Sequence, residues 1–240
     1  GLRLAAISGG QFDNVICSRC DAVVALPKGS GRAFEAFIRE LEGVLKNEYA
    51  VTDPDVTLTC AAAETAKAVS AERTVTLVQA LTAMPQGVEA MDTDFPGLVQ
   101  TSLNMGVVKL GGNGLHIAFS IRSSIASRKL MLAQRVRAVA ALAGGTVAER
   151  GVYPGWQYKR ESQFRDTLRA AYKDLTGKDG VVEATHGGLE CGLLMEKIPG
   201  LDAVSMGPEL HDVHSVRERL SVPSTERTYE LVCELLRRSC

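Results

Sequence analysis

The sequence predicts an α/β fold. Short apolar runs that end at glycine or proline alternate along most of the chain with longer segments of helical periodicity. The 240 residues include 45% hydrophobic and 23% charged residues, which is sufficient for one large domain or two small ones with hydrophobic cores. No low-complexity segment or convincing repeat interrupts the pattern.

The N-terminal segment predicts two strands and a helix. Strands are expected over Leu2–Ser8 and Ala22–Leu26, joined as a hairpin with a long turn. Ser30 is positioned to cap a helix, since an apolar series with the spacing of one buried helical face follows it. That series comprises Phe34, Phe37, Ile38, Leu41 and Leu45.

The middle of the chain predicts a strand, a helix and a hairpin. Val56–Cys60 alternates like a half-buried strand, and Glu72–Met84 is helical until Pro85 stops it. Met105–Leu110 and His116–Arg122 resemble the two arms of a hairpin around a glycine-rich turn. On the second arm one face is expected to carry Ile117, Phe119 and Ile121.

Three further helices and a strand are expected in the remainder. Arg128–Ala143 is a predicted helix that two glycines end, and Thr146–Tyr153 is expected to return as a strand. The inward side chains of this helix are predicted to be Leu132, Val136, Val139 and Leu142. A next helix presents Phe164, Leu168, Tyr172 and Leu175 and stops at Gly177, and a closing helix presents Tyr229, Val232, Leu235 and Leu236.

Two loops near the C-terminus predict the edge of a ligand site. His186–Gly192 is glycine-rich and is expected to open a helix, while Gly207–Ser215 contains two of the four histidines. The apolar runs Val181-Val182 and Ala203-Val204 precede these loops, so both loops are expected at strand ends, where ligands bind in α/β sheets. An imidazole there could ligate zinc, but a catalytic zinc needs about three protein ligands.

Composition and charge exclude several classes of protein. A formal charge of −1 and a pI near 6.5 give no electrostatic footprint for nucleic acid, and no apolar run approaches the roughly 18 residues of a membrane span. Six cysteines are too few for a disulfide scaffold, so a cytoplasmic protein with reduced thiols is expected. Cys17 and Cys20 have C-x-x-C spacing, read either as a redox or zinc half-site or as incidental cysteines on a turn.

Taken in order, several segments resemble the aminoacyl-histidine (Xaa-His, beta-alanyl-histidine) dipeptidases, a family of cytosolic two-zinc peptidases. They are Gly9-Gly10 with Asn14-Val15-Ile16, Thr101–Val108, Ile121–Ser124, Tyr153–Trp156, His186–Gly192 and Gly207-Pro208 leading to His214-Ser215. The family's H-x-D motif, Glu-Glu pair and Gly-Gly-His-Ser-Gly segment do not occur in this sequence. The resemblance therefore implies a C-terminal half, inactive alone, and Gly1 in place of Met fits a trimmed or processed chain.

The resemblance also implies the domain organisation and the partners. Residues 1–153 would be most of an α+β lid, or dimerisation, domain with an antiparallel sheet and helices. Residues 154–240 would be the last part of an α/β catalytic domain, with a composition shift at Tyr153–Trp156. A homodimer through the lid, a dipeptide substrate and two zinc ions per intact active site would follow. Nucleic acid and membranes are not expected partners.

By the same resemblance, His214 would be a zinc ligand, and Arg122 and Asn14 would bind the substrate. An arginine fork suits a carboxylate, although a surface arginine and a turn asparagine are the alternatives. In the loop of His186, Gly187, Gly188 and Glu190, backbone N–H groups could receive the dipeptide carboxylate. A tight turn that needs its glycines is the other interpretation. Cys17 stands where the family usually has proline, which puts the turn after Asn14 in doubt.

The function implied for the intact enzyme is hydrolysis of Xaa-His-type dipeptides by a metal-activated water. A non-catalytic dimerisation or lid module is the first alternative. A self-contained α/β ligand-binding protein with a pocket away from His214 is the second.

Overall fold

The computed structural model describes residues 1–64, 67–112, 114–213 and 215–239. Within these ranges the chain forms seven strands and six helices. The strands are β1 (Arg3–Gly9), β2 (Cys20–Ala25), β3 (Gly87–Met91), β4 (Val99–Gly111), β5 (Gly114–Ser123), β6 (Leu210–His211) and β7 (Arg219–Leu220). The helices are α1 (Gly31–Glu48), α2 (Ala71–Ala83), α3 (Ala126–Leu142), α4 (Gln163–Thr176), α5 (Glu190–Lys197) and α6 (Val222–Ser239).

Five strands form one sheet in the order β2-β1-β4-β3, with β5 paired to β4. Strand β1 is antiparallel to both neighbours, with Leu4 opposite Val24 and Ile7 opposite Leu110. The register of β1 on β2 shifts between Leu4 and Ala6, as at a β-bulge. The predicted N-terminal hairpin and the predicted β4–β5 pair are therefore confirmed, and so is the α/β class.

The chain divides into two compact units that the sequence does not mark. The first unit comprises 1–87, 103–121 and 132–147, and the second comprises 88–102, 122–131 and 148–240. Strands β4 and β5 and helix α3 each contribute residues to both units. The predicted division into a lid domain and a catalytic segment at Tyr153 concerns function rather than packing, and it stays a prediction.

The core of the first unit consists of two small apolar clusters. One contains Leu4, Leu77 and Leu110, and the other contains Leu103, Leu132 and Val136. Phe119 and Ile121 of β5 pack against the second cluster, as their shared face predicted. A side-chain hydroxyl also bonds to the backbone of β1, since the Leu4 N–H donates to Thr74 Oγ1 of α2 at 3.1 Å.

The second unit is built around α4 and α6, with Ala171 and Leu235 buried where these helices pack. Ser162 caps α4, because its hydroxyl accepts the backbone N–H of Arg165 at 3.1 Å. Gly177 ends α4 in the left-handed region at φ 71°, as its position predicted.

Several predicted strands are wrong. The structure has no strand at Val56–Cys60, at Thr146–Tyr153 or at the runs around Val182 and Val204. All four segments are apolar or alternating, but a strand also needs a neighbour for its backbone groups, and none pairs with them within the described ranges. Conversely, β3 was not predicted, because its five residues show no clear alternation.

The extent of burial on three helices also differs from the predictions. No residue of α1 is fully buried: Phe34, Ile38, Leu41 and Leu45 are partly buried, and Phe37 is 54% exposed. The Ser30 hydroxyl donates to the Pro27 carbonyl at 2.7 Å instead of capping the helix. Leu142 of α3 is 89% exposed, and in α6 Tyr229 and Leu236 are 70% and 62% exposed. Helical periodicity identified the helices correctly but not how deeply each face is covered.

Candidate functional site

Arg122 and His186 lie close together in the second unit. Strand β4 begins with Val99–Ser102, β5 ends at Arg122-Ser123, and the loop from His186 leads into α5. The Ser102 Oγ lies 2.7 Å from His186 Nε2, a hydrogen bond between residues 84 apart in sequence. The structure thus brings two of the predicted substrate-binding residues to one strand end.

The His186 imidazole is held in its neutral form. Its pKa is lowered first by partial burial and second by the positive charge of Arg122, while the backbone carbonyl of Val99 opposes this with a hydrogen bond. A histidine with a depressed pKa is uncharged near neutral pH. The positive charge in this part of the site is therefore that of the exposed Arg122.

Buried hydroxyl groups fix the end of β5 that carries Arg122. Thr101 Oγ1 and Ser123 Oγ are hydrogen-bonded at 2.8 Å, and Ser123 Oγ also accepts the Ile125 backbone N–H at 3.0 Å. Both hydroxyls are buried, so these bonds are shielded from water. Since successive side chains of a strand alternate, anchoring Ser123 directs Arg122 to the opposite face.

Gln100 is buried on β4 two residues before Ser102, on the same face of the strand. Its Oε1 has no hydrogen-bond partner, the one buried side-chain atom of that kind in the described part of the chain. A buried acceptor without a donor is costly and rare, so its presence marks this strand end as unusual.

The glycines of the His186–Gly192 loop are required by close packing. A Cβ at Gly188 would lie 2.8 Å from the Tyr153 ring, and one at Gly192 would lie 3.1 Å from the Pro154 carbonyl oxygen. A Cβ at Gly155 would lie 2.6 Å from the Ser123 carbonyl oxygen. The Tyr153–Gly155 segment therefore packs against both the glycine loop and the end of β5, and it supports the site.

Glu190 is exposed at the first residue of α5, near Tyr153. The pKa of the Tyr153 phenol is raised first by burial and then by the charges of Glu190 and Cys191. Lys129 Nζ donates to the Tyr153 carbonyl, and partial burial lowers the pKa of this lysine. Lys129 thus fixes the backbone at the start of the supporting segment.

Asn14 belongs to the first unit, in an exposed turn that β4 holds from beneath. Asn104 Nδ2 donates to the backbone carbonyls of Asp13 at 2.7 Å and Val15 at 2.9 Å, on either side of Asn14. At Gly106 the turn touches the strand so closely that a Cβ would lie 2.3 Å from the Phe12 carbonyl oxygen. The presence of Cys17 instead of proline does not prevent this turn from folding onto β4.

The predicted metal ligand His214 lies outside the described residues. Around it, His211 of β6 pairs with Arg219 of β7, and His211 is exposed. Asp212 has a φ of 53°, and its carbonyl accepts both the N–H and the hydroxyl of Ser215. The loop therefore has its own internal bonding on both sides of His214.

The described residues do not themselves fit a zinc ion, since no three histidine, cysteine or acidic side chains among them are grouped to hold a metal. The Cys17 and Cys20 thiols are free, and burial first, then the charges of Cys17 and Asp21, raise the pKa of Cys20. A raised thiol pKa disfavours the reactive thiolate. We assign no catalytic role to these cysteines.

A groove of about 210 Å³ lies between α4 and α6, and its lining includes none of Asn14, Arg122, His186, Gly187, Gly188 and Glu190. Its lining is apolar except for Ser239. Small-molecule sites usually place several polar groups within an apolar lining, and this groove lacks them. It does not support the alternative of a self-contained ligand-binding protein.

No helix within the described ranges has the length and apolarity to cross a membrane.

Sequence reasoning missed Ser102, Asn104 and Tyr153, which hold the predicted residues in place. All three fall within segments that carry the family resemblance. Serine and asparagine on a strand are common surface residues, however, and nothing local in the sequence names a partner more than 80 residues away. The resemblance was the one signal that could have drawn attention to them.

No family model matches the chain. The chain is 32% identical over 237 residues to the cytosol non-specific dipeptidase of Escherichia coli strain K12, an alignment that covers 98% of this chain and 49% of the relative. The crystal structure of aminoacylhistidine dipeptidase from Vibrio alginolyticus superposes with a TM-score of 0.90 at 31% identity. It is matched over 99% of this chain and 49% of that protein.

A more distant solved structure shares the fold alone. The aminopeptidase PepT of Bacillus cereus superposes with a TM-score of 0.53 at 17% identity, over 98% of this chain and 50% of that one. The chain thus spans about half the length of the relatives that it matches.

Proposed function

We propose that this chain, which is homologous along nearly all of its length to about half of an aminoacylhistidine dipeptidase, forms part of a metal-dependent dipeptidase. Within that enzyme, the role of this chain would be to bind the substrate. The observation that carries the proposal is the proximity of Arg122 to the His186 loop at one strand end.

Arg122 and the glycine loop suit the carboxylate of a dipeptide. A guanidinium can donate two parallel hydrogen bonds to a carboxylate. Gly187, Gly188 and Glu190 precede or begin α5, and helix N-termini attract anions. The Gly187 N–H already donates to Thr185 Oγ1 at 3.2 Å, so the N–H groups of Gly188 and Glu190 are the ones proposed for the carboxylate. Neutral His186 leaves Arg122 as the cation, so a bound carboxylate would pair with a single positive charge.

Asn14 is proposed as a further hydrogen-bonding group for the substrate. The basis is the family resemblance together with the support that its turn receives from Asn104. An asparagine side chain both donates and accepts hydrogen bonds, so it could bind either the carbonyl or the N–H of a peptide group.

His214 is proposed as one zinc ligand, on the family resemblance alone. The remaining ligands would come from the part of the relatives that this chain does not span. A zinc ion would polarise the scissile carbonyl and lower the pKa of bound water. The homodimer through the lid domain and a cytoplasmic location also belong to this proposal, the latter in keeping with the name of the E. coli relative.

A chimera tests the function directly. The half of the E. coli dipeptidase that aligns with this chain is replaced by the 240 residues, and hydrolysis of Xaa-His and other dipeptides is measured with zinc present. We expect turnover, which His214→Ala abolishes and Arg122→Ala weakens mainly through a higher KM. The exposed Arg32→Ala on α1 is the matched control and should leave activity unchanged. A folded chimera that is inactive, or that is indifferent to His214→Ala, would refute the proposal.

A further inference from the structure

We propose that Ser102 is a positioning residue, whose hydrogen bond to the His186 ring fixes the glycine loop near Arg122. The effect of Ser102 on substrate binding rests on the proposed function. The hydrogen bond between Ser102 and His186 does not depend on that function.

The Ser102–His186 bond ties the loop to the sheet. The loop has local bonds of its own, such as the Gly187 N–H to Thr185 Oγ1 at 3.2 Å, but these span only two residues. The 2.7 Å contact between Ser102 Oγ and His186 Nε2 joins the start of the loop to β4, where the hydroxyl-bonded pair Thr101 and Ser123 is buried. Ser102 therefore connects the glycine-rich loop to strand β4.

The contact with Ser102 joins the ring to the sheet at a defined atom. Ser102 Oγ lies 2.7 Å from His186 Nε2, and a hydroxyl can both donate and accept a hydrogen bond. The positioning role therefore rests on this contact and does not depend on which ring nitrogen carries the proton.

Burial and electrostatics favour an uncharged ring beside Ser102. The ring is partly buried, and Arg122 is the charged group whose field opposes a second positive charge there. The role of His186 is to orient the loop, so that Gly188 presents its N–H group and Arg122 supplies the charge.

NMR of the 240-residue chain tests the contact. Long-range ¹H–¹⁵N spectra report on each imidazole ring, and His186→Gln identifies the His186 signals among the four histidines. Ser102→Ala should shift the His186 ring signals and change the proton affinity of the ring by about twofold to tenfold, the value of one lost hydrogen bond.

Ser102→Thr retains the hydroxyl and should restore the His186 signals, whereas Ser120→Ala on β5 should change nothing. A Ser102→Ala spectrum and titration like those of the unsubstituted chain would overturn the proposal. In the chimera, Ser102→Ala should raise KM about tenfold with little change in kcat. If the NMR results hold while the chimera is inactive, the positioning role stands and the proposed function fails.

Discussion

At the scale of single residues, several glycines lie where an added side chain would overlap a neighbouring segment. Gly10 has a φ of 72° and faces the backbone of β4, where an added Cβ would lie 1.7 Å from the Gly106 carbonyl oxygen. Gly29 has a φ of 84° but open space around it. The two positions separate backbone conformation from steric overlap, because both require the left-handed region and only one is crowded.

Gly29→Ala is expected to cost about 1–2 kcal/mol of unfolding free energy, the penalty for an alanine in the left-handed region. Gly10→Ala should cost about 2 kcal/mol more, because its methyl group meets backbone that cannot rotate away. Urea unfolding of both variants measures the difference. Equal losses would show that the chain at Gly10 can move away from β4.

Gly188→Ala tests the packing of the site loop. The methyl group would lie 2.8 Å from the Tyr153 ring, so the ring or the loop must move, at about 1 kcal/mol or more. Gly187→Ala is the matched control, since its nearest contact is Thr185 Oγ1 at 3.4 Å. We expect Gly188→Ala alone to change the fluorescence and near-UV circular dichroism of the Tyr153 region. Similar spectra for both variants would contradict the packing described here.

Little of this residue-scale detail could be predicted. The sequence identified Arg122, His186 and Gly188 as candidates, and the structure places the first two near each other. It could not identify Ser102 as the partner of His186, because that contact depends on how two distant segments fold together. Steric reasons for particular glycines likewise exist only once the opposing backbone is known.

At the scale of elements, Asp202 joins an extended segment to the start of α4. Its carboxylate accepts the Ser162 hydroxyl at 2.8 Å and the Phe164 backbone N–H at 3.1 Å. Partial burial acts to raise the pKa of this carboxyl, but these hydrogen bonds and nearby Lys159 and Arg165 together lower it. The carboxylate form is therefore the one that stabilises this helix start.

Asp202→Asn should lower stability at pH 7 by about 1 kcal/mol, since an amide oxygen accepts more weakly and lacks the charge. A carboxyl whose folded pKa lies below its unfolded value of roughly 3.9 stabilises the fold fully above that value. Its contribution is lost as the pH falls through the folded pKa. The stability difference between the two proteins should thus be constant above about pH 5 and shrink below pH 4, measured by urea unfolding across that range. Asp166→Asn, on an exposed face of α4, should show no comparable pH dependence.

Helices were predicted better than strands for a physical reason. The apolar periodicity and Gly177 are local signals, and they identified α4 and the residue at which it ends. A strand depends on a neighbour that may be distant in sequence. Thr146–Tyr153 has the composition of a strand but no partner among the described residues, and β3 lacks the pattern but pairs with β4.

At the scale of the whole molecule, the chain has a proposed substrate-binding arrangement, and the described residues form no metal site. We expect the purified 240 residues to lose zinc on dialysis and to hydrolyse no dipeptide, because one histidine ligand binds zinc weakly. Metal analysis and a dipeptide assay, with the full-length E. coli dipeptidase as the positive control, measure both. One zinc retained per chain, or zinc-dependent turnover, would contradict this expectation and the proposed division of ligands.

The α/β class followed from the alternation of elements, but the order of the sheet did not. Strand β1 pairs with β4 across more than ninety residues, and no local pattern specifies that choice. The division into compact units could not be predicted either, since β4, β5 and α3 each pass from one to the other.

Strand β4 carries Ser102 and Asn104 two positions apart, one bonded to the His186 loop and the other to the turn of Asn14. Side chains two apart on a strand share a face, and a slip of one residue turns every side chain over. A single insertion or deletion in the preceding 92–98 connection that shifted the pairing of β4 would therefore release both segments at once. In a mutational scan, such length changes should resemble the combined loss of Ser102 and Asn104 although neither residue is altered.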